Sequence, residues 1–328
     1  MEKRSLDKVF LSIFHDKFSF NDFIGFDLSS NYKKLMVNNR EVFSASKELK
    51  DIHKFINSSI LAYAKYNKDV VYSYTKGVSI RDAIEKHSGS KFFLQTDISN
   101  FYGSLNRDNI EISLRYQIDN FPISDIEDYI DLIVYLTVVE DKLPAGFSTS
   151  PLLSNLCLLD FDIALLKYAN ENELVYTRYS DDLIISSVND RLDNDIVLKI
   201  ESLLCEHVND SISLNQSKTK FNHIGNSFKL LGLNILPNGT VTIPSSEKKK
   251  LETLIYLYFT DKDKFIDFTK NNIKYNKESK ERTVVEVGAR YITNKLVAFN
   301  SMDPEYVNKL RRKYGNTVIE MFVRQSVN

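Results

Sequence analysis

Cysteine is scarce in this 328-residue chain: only Cys157 and Cys205 occur, far apart, with no CxxC or Cys/His cluster around either. That pattern excludes a disulfide framework and a cysteine-rich zinc site, and it predicts two reduced thiols in a cytoplasmic protein. Ten glycines and six prolines leave few places to break the chain into beads, and no linker, internal repeat or low-complexity tract is evident. Long apolar runs are missing as well. The N-terminus, MEKRSLDKVF, is charged and has no small-residue cleavage site, so neither a secretion signal nor a membrane span is expected.

What is present belongs to an ordinary globular protein: 43% hydrophobic, 12% aromatic and 27% charged residues, in a chain long enough for two or three lobes. The net charge of −1 hides an asymmetry. Residues 240–328 hold 17 Lys and Arg against 11 Asp and Glu, a net of +6, whereas the preceding part holds 26 against 33, a net of −7. A basic tail on an acidic body suits contact with a polyanion, or is simply a solvated helical face.

Residues 1–90 read mostly as helix; in LKDIHKFINSSILAYAKY the apolar Ile52, Phe55, Ile56, Ile60 and Ala64 recur at three and four. The period then changes. KFFLQTDIS reads as a strand ending at Asp97, SDIEDYIDLIVYL as a helix capped by Ser124, and SPLLSNLCLLDFDIALLKYA as one long buried helix with Pro151 in its first turn. LVYTRY, SDD and LIISSV read as a hairpin with carboxylates at its tip. DIVLKIESLLCEHVN is an amphipathic helix, two short strands flank Asn238-Gly239, and the chain from Glu247 onward reads as helices with basic exposed faces. The expectation is an α+β protein with helical flanks.

Two adjacent carboxylates, Asp181 and Asp182, are unexpected at the tip of an apolar hairpin. Neighbouring side chains on a strand face opposite ways, and uncompensated like charge is disfavoured, so a cation is the natural remedy. A divalent metal is one solution and an arginine such as Arg178 another. Asp97 closes a second apolar strand. Strand-end carboxylates from separate segments bind hard cations through oxygen, leaving positions for water and phosphate, as magnesium prefers. Two such ions about 3.5 to 4 Å apart would serve an in-line phosphoryl transfer, which points to nucleotidyl transfer or phosphodiester hydrolysis. Between these elements LPAGFSTSPLLSNL sets Gly146 and a cluster of hydroxyls at a helix start, a place where phosphate is attracted. GFSTS does not match a serine-hydrolase elbow.

In this order the motifs resemble those of the reverse transcriptase family. TDISNFYGSL looks like the first catalytic palm motif, LPAGFSTSPLLSNL like the LPQG-x-x-x-SP loop, and RYSDDLIIS like the Tyr-x-Asp-Asp hairpin. SLNQSKTKF with Lys218, KLLGLNI with Gly232 and NREVFSAS with Arg40 are similar to the flanking blocks, so the resemblance runs from about Tyr32 to Ile235. It implies a right-hand polymerase fold: fingers and an N-terminal extension over 1–90, a palm with an antiparallel sheet over 91–236, and a basic helical thumb-like region over 237–328.

It also implies roles. Asp97 and Asp181 would be the chief ligands of magnesium, with manganese as substitute, helped by the Ile98 carbonyl and by Asp182 as a weaker third. Tyr102, beside Phe101, would lie under the incoming sugar and favour deoxynucleotides. Ala145 and Gly146 would face the nucleotide, Arg40 would clamp the triphosphate, and Lys218 would neutralise or protonate the departing pyrophosphate.

The departures are informative. Ala145 stands where the family has glutamine, Asn38 where a basic fingers residue is common, and Ala83 and Ile84 replace the first residues of a retron-type Asn-Ala-x-x-His, leaving His87 as a helix-surface histidine. The retron-typical Val-Thr-Gly of the thumb is missing. The remaining resemblance is to the abortive-infection branch of bacterial reverse transcriptases. That branch implies antiphage defence, template-independent synthesis from dNTPs, a single-stranded DNA product covalently primed on a tyrosine, and a homo-oligomer away from membranes. The alternatives are an RNA-templated enzyme of retron or intron type, and a sensor or scaffold that binds a phage component.

Overall fold

The structure is a computed structural model and describes residues 3–189, 191–225, 228–273 and 283–324. Its elements begin with α1 (Leu6–Phe14), α2 (Phe20–Ile24), β1 (Tyr32–Val37), β2 (Arg40–Ala45), α3 (Lys47–Ser59) and α4 (Ile80–Glu85). They continue with β3 (Phe92–Asp97), α5 (Arg107–Tyr116), α6 (Ile130–Thr137), α7 (Ser150–Cys157), α8 (Leu159–Glu171), β4 (Leu174–Tyr179), β5 (Asp182–Ser187), α9 (Asn194–His207) and β6 (Lys220–His223). The last are β7 (Phe228–Leu230), β8 (Leu233–Ile235), β9 (Val241–Thr242), α10 (Ser245–Thr260), α11 (Lys262–Asn272), α12 (Val284–Met302), α13 (Pro304–Tyr314) and α14 (Asn316–Arg324). None of the described helices is long and apolar enough to cross a membrane.

The chain divides into two compact units, Met1–Val78 with Ser90–His223, and Ser79–Gly89 with Ile224–Asn328. The first is built on an antiparallel sheet of order β4-β5-β3-β6. Leu183, Ile184 and Ile185 of β5 are consecutive and fully buried, as a strand covered on both faces requires. A cluster of phenylalanines, Phe10, Phe14, Phe18, Phe20, Phe23 and Phe55, locks α1, α2 and α3 together with ring centroids 4.5 to 5.8 Å apart around Phe10.

The second unit carries the small sheet β7-β8-β9 and the helices α10 to α14, with α4 packed on β9. Gly288 of α12 is set against α11: a Cβ there would meet the Phe265 ring at 2.4 Å. This explains a glycine within a helix, where it otherwise costs about 1 kcal/mol.

Four sequence expectations are corrected. Residues 32–45 form a hairpin, not helix, turned by Asn38 and Asn39, both at positive φ (51° and 61°). Asn-Asn supplies the two left-handed positions that a tight hairpin needs, but β1 is exposed along almost its whole length and so shows no apolar alternation. Ser124 caps no helix. Its N–H pairs with the Arg4 carbonyl at 2.8 Å, Asp125 instead accepts from the N–H of Leu6 at the start of α1, and α6 begins only at Ile130. The long helix from Ser150 is two, broken at Leu158 (ψ 7°). Beyond the break, α8 packs on β4. Finally, His87 is fully buried rather than on a helix surface, its neighbour Ser88 lying against the turn that carries Gly239, and burial pushes its imidazole down to about 3.

Candidate active site

The ends of two strands bring the carboxylates together. In the β3–β5 ladder Asp97 and Asp182 are direct partners, and the Ser180-Asp181 turn, with Ser180 at φ 60°, folds Asp181 back so that its carbonyl accepts from the Ile98 N–H at 3.0 Å. The strand periodicity that should separate Asp181 from Asp182 is thus overridden by a left-handed turn residue. The segment before β6 is stitched to the same place. Ser99 N–H donates to Ser213 O at 2.9 Å, Asn215 N–H to Asp97 O at 2.8 Å, and Thr96 and Thr219 hydroxyls meet at 2.7 Å. The result is that Lys218 Nζ donates to Asp97 Oδ2 at 2.6 Å.

Negative charge is in excess there. Asp97 is 3% exposed, and its Oδ1 is buried with no hydrogen-bond partner. Asp182 is pushed up to about 6, first by burial and then by the charges of Asp181 and Asp97, against which Lys218 and Gln95 act only in part. Lys218 is raised in turn, chiefly by its bond to Asp97. Among the described residues no three His, Cys, Asp or Glu side chains stand in a ready metal-ligating array; the ammonium of Lys218 supplies the counter-charge at Asp97. The residues nonetheless fit a hard divalent cation: the donors are all oxygen, Asp97 Oδ1 lacks a donor, and three carboxylates face one ammonium.

A buried network supports the hairpin from behind. Arg178 and Asp162 are both completely buried, with Nη2–Oδ2 at 2.6 Å and Nε–Oδ1 at 2.9 Å. Tyr176 donates to Asp162 Oδ1 at 2.7 Å, while Arg178 Nη1 donates to Asn155 Oδ1 and to Ser180 O, each at 3.0 Å. Arg178 is therefore not the counter-ion of Asp181 and Asp182. Its charge is used up by Asp162, and its remaining donor fixes the carbonyl of the turn that carries them. No local sequence pattern links Asp162 and Asn155 to Arg178; only the break at Leu158 and the packing of α8 on β4 bring them together.

Phe101 is buried and Tyr102 half-buried at the start of the 3-10 turn after β3, with ring centroids 5.3 Å apart. The Tyr102 hydroxyl meets that of Tyr74 at 3.0 Å, and Tyr74 meets Ser180 Oγ at 3.2 Å.

The profile of the reverse transcriptase (RNA-dependent DNA polymerase) family matches residues 33–235 of this chain. The chain belongs to the reverse transcriptase family. It is thereby a nucleotidyltransferase of the RNA-directed DNA polymerase class, and reverse transcriptases work with divalent metals, magnesium above all. It is similar to the Retron Ec83 reverse transcriptase of Escherichia coli, 21% identical over 278 residues, which cover 81% of this chain and 80% of that one. The Retron Ec86 enzyme of the same organism is 25% identical over 84% of this chain and 78% of its own, and the Retron Ec48 enzyme 28% identical over 73% and 55%. Among solved structures, telomerase from Candida albicans aligns with a TM-score of 0.43 at 12% identity, covering 84% of this chain and 51% of that one.

In this reverse transcriptase Asp97, Ile98, Asp181, Asp182 and Lys218 form one cluster. Ala145 and Gly146 lie against β2 at Val42 and Phe43, and Arg40 stands apart at the turn end of that strand; among the described residues none of the three has a hydrogen bond or ion pair to the carboxylates. Ala145 O accepts from the Phe43 N–H at 2.7 Å, and Gly146 (φ 107°) lies so close that a Cβ would meet Phe43 O at 2.5 Å. Arg40 opens β2 with its side chain exposed. The loop is held from α3 as well: Asn57 donates to Ser148 O at 2.8 Å, and His53, whose ring lies 4.6 Å from that of Phe147, is pushed down to about 4 by burial. Tyr74, Ser180, Asn57 and the Arg178 network were not singled out by motif reading. For Tyr74 and Asn57 no sequence signal existed beyond the proximity of the folded chain.

Proposed function

We propose that this chain is a magnesium-dependent DNA polymerase that adds deoxynucleotides at the Asp97/Asp181/Asp182 cluster. The observation that carries the reading is the buried, unpartnered Oδ1 of Asp97 beside two further carboxylates, one of them held near neutral pH. Asp97, the Ile98 carbonyl, Asp181 and Asp182 would hold the divalent ions. When bound, these would lower the pKa of an attacking hydroxyl and stabilise the leaving oxygen. The chain's own groups do the rest. With no ion bound, burial and the facing charges of Asp181 and Asp97 raise Asp182 to about 6, so binding of a cation is coupled to release of its proton. Lys218 stays charged throughout the physiological range and is released from Asp97 to meet the departing pyrophosphate. Tyr102 forms the wall under the sugar, Arg40 with its planar fork clamps the triphosphate, and Ala145 and Gly146 offer backbone alone at the base. In hand-like terms β1, β2 and α3 act as fingers, the four-stranded sheet as palm, and the helical second unit as a basic thumb.

The retron enzymes among the relatives favour an RNA template and, with it, a part in antiviral defence. A second reading rests on Ala145, which lacks the polar side chain of glutamine near the nucleotide. It holds that synthesis is template-independent and primed on a tyrosine of the protein, in an abortive-infection enzyme that assembles as a homo-oligomer. Purified protein with dNTPs and Mg²⁺ or Mn²⁺, with and without an RNA template and primer, separates the two. Strict dependence on RNA supports the first, and products that stay attached to protein through phenol support the second. No incorporation under any condition, or incorporation undiminished in D181N, refutes both.

A further inference from the structure

Tyr74 lies outside every motif that marked the site in the sequence, yet three features single it out. Its backbone is left-handed (φ 58°), a strained conformation for a residue with a β-carbon. Its neighbours hold it there: the Ser73 carbonyl accepts from the buried Asn155 Nδ2 at 3.1 Å, and the Tyr72 N–H donates to Arg178 O at 3.0 Å. The residue is 45% exposed, so core packing does not account for it, but its hydroxyl is placed between Tyr102 and Ser180.

The Tyr102 ring rests on Phe101 on one side, and its hydroxyl end is tied down by Tyr74. Tyr74 is in turn anchored to Ser180, the residue before Asp181. We propose that Tyr74 is a positioning residue for sugar selection: its hydroxyl fixes the height and tilt of the Tyr102 ring, and so sets how strongly a ribonucleotide is rejected relative to a deoxynucleotide. The physical reason is leverage. A ring held at both ends presents a hard wall to a 2′-hydroxyl, whereas a ring free to pivot about its Cβ gives way by the fraction of an ångström that an extra oxygen needs. The proposal rests on the reading of Tyr102 as the wall of a deoxynucleotide site.

The test compares Y74F, Y102F, the double variant and Y102A, reading kcat/KM for a dNTP over the matching rNTP, together with equilibrium binding of dGTP and GTP in Mg²⁺. Y74F and Y102F each delete one end of the same hydrogen bond, so each should lower the deoxy-to-ribo ratio by about 3- to 10-fold, the range one net hydrogen bond allows. The double variant should lose no more than either single one. If Y74F fails to fold, Y102F still reads the bond. A ratio unchanged in both, or a Y74F that slows both nucleotides equally, overturns the role of Tyr74. Loss of discrimination in Y102A alone would leave the wall standing without it. An unchanged ratio in Y102A removes the wall itself, and the proposal with it.

Discussion

Replacing Asp182 with asparagine should stabilise the metal-free protein while damaging its activity. The carboxyl of Asp182 is raised from 3.8 to about 6 by burial and by the facing charges of Asp181 and Asp97. A raised acid favours the protonated folded state, so stability is highest at low pH and falls as pH rises from near 4 through about 6; above that both folded and unfolded chains are ionised and the penalty is complete. The displacement corresponds to about 3 kcal/mol. The side chain is only partly buried, and solvent screening brings this to about 1 to 2 kcal/mol. D182N carries no such charge. In EDTA its urea midpoint for the first unit should exceed that of the unmodified protein at pH 8, and the gain should shrink steadily as pH is lowered toward 4. Added Mg²⁺ should stabilise the unmodified protein more than the variant, because the ion offsets the same repulsion. A gain that is absent at pH 8, or equal at pH 8 and pH 4.5, would show that burial and the facing charges at the β3–β5 strand ends do not raise Asp182.

The remaining predictions concern the supporting structure. R178M leaves Asp162 buried without a counter-charge, held by Tyr176 alone, and should cost about 3 to 5 kcal/mol, seen as a large fall in the thermal transition of the first unit; a change under about 1 kcal/mol would mean that the pair does not hold the hairpin. G146A places a Cβ 2.5 Å from Phe43 O at a φ of 107°, so it should destabilise by about 1 to 3 kcal/mol and slow incorporation, while G315A, at a φ of 94° with nothing within 4 Å, should affect stability only. D97N should cut incorporation by about 10² to 10³-fold with little change in circular dichroism, and an active D97N would refute the assignment. In thiol labelling of the native protein Cys205, exposed but with its thiol pushed up by the bond to Asp210, should react slowly at pH 7 and faster as pH rises, whereas Cys157, buried and pushed up to about 12, should react only on unfolding.

How much was legible in the sequence follows from which interactions are local. Apolar runs ending in carboxylates, KFFLQTD and the hairpin around SDD, announced β3, β4 and β5, because strand burial and turn chemistry are written within a few residues. The expectation that Asp97 and Asp181 share a site came from the order of the motifs, not from any local rule. The β1–β2 hairpin is invisible in the sequence since an exposed strand pair carries no apolar period, and the burial of His87 is a matter of tertiary packing that no local pattern announces.

The sequence by itself therefore settled the α+β class, the strand-end carboxylates and the family to which they belong. Only the tertiary structure decided which cation answers which charge. Arg178, three residues before Asp181, is consumed by Asp162 in the core, whereas Lys218, from the segment before β6, reaches Asp97. Tyr74, from a loop with no signature, reaches Tyr102 and Ser180. The reason is physical: an ion pair or hydrogen bond acts over about 3 Å, and closeness in space is set by how the sheet and α8 pack, not by closeness along the chain.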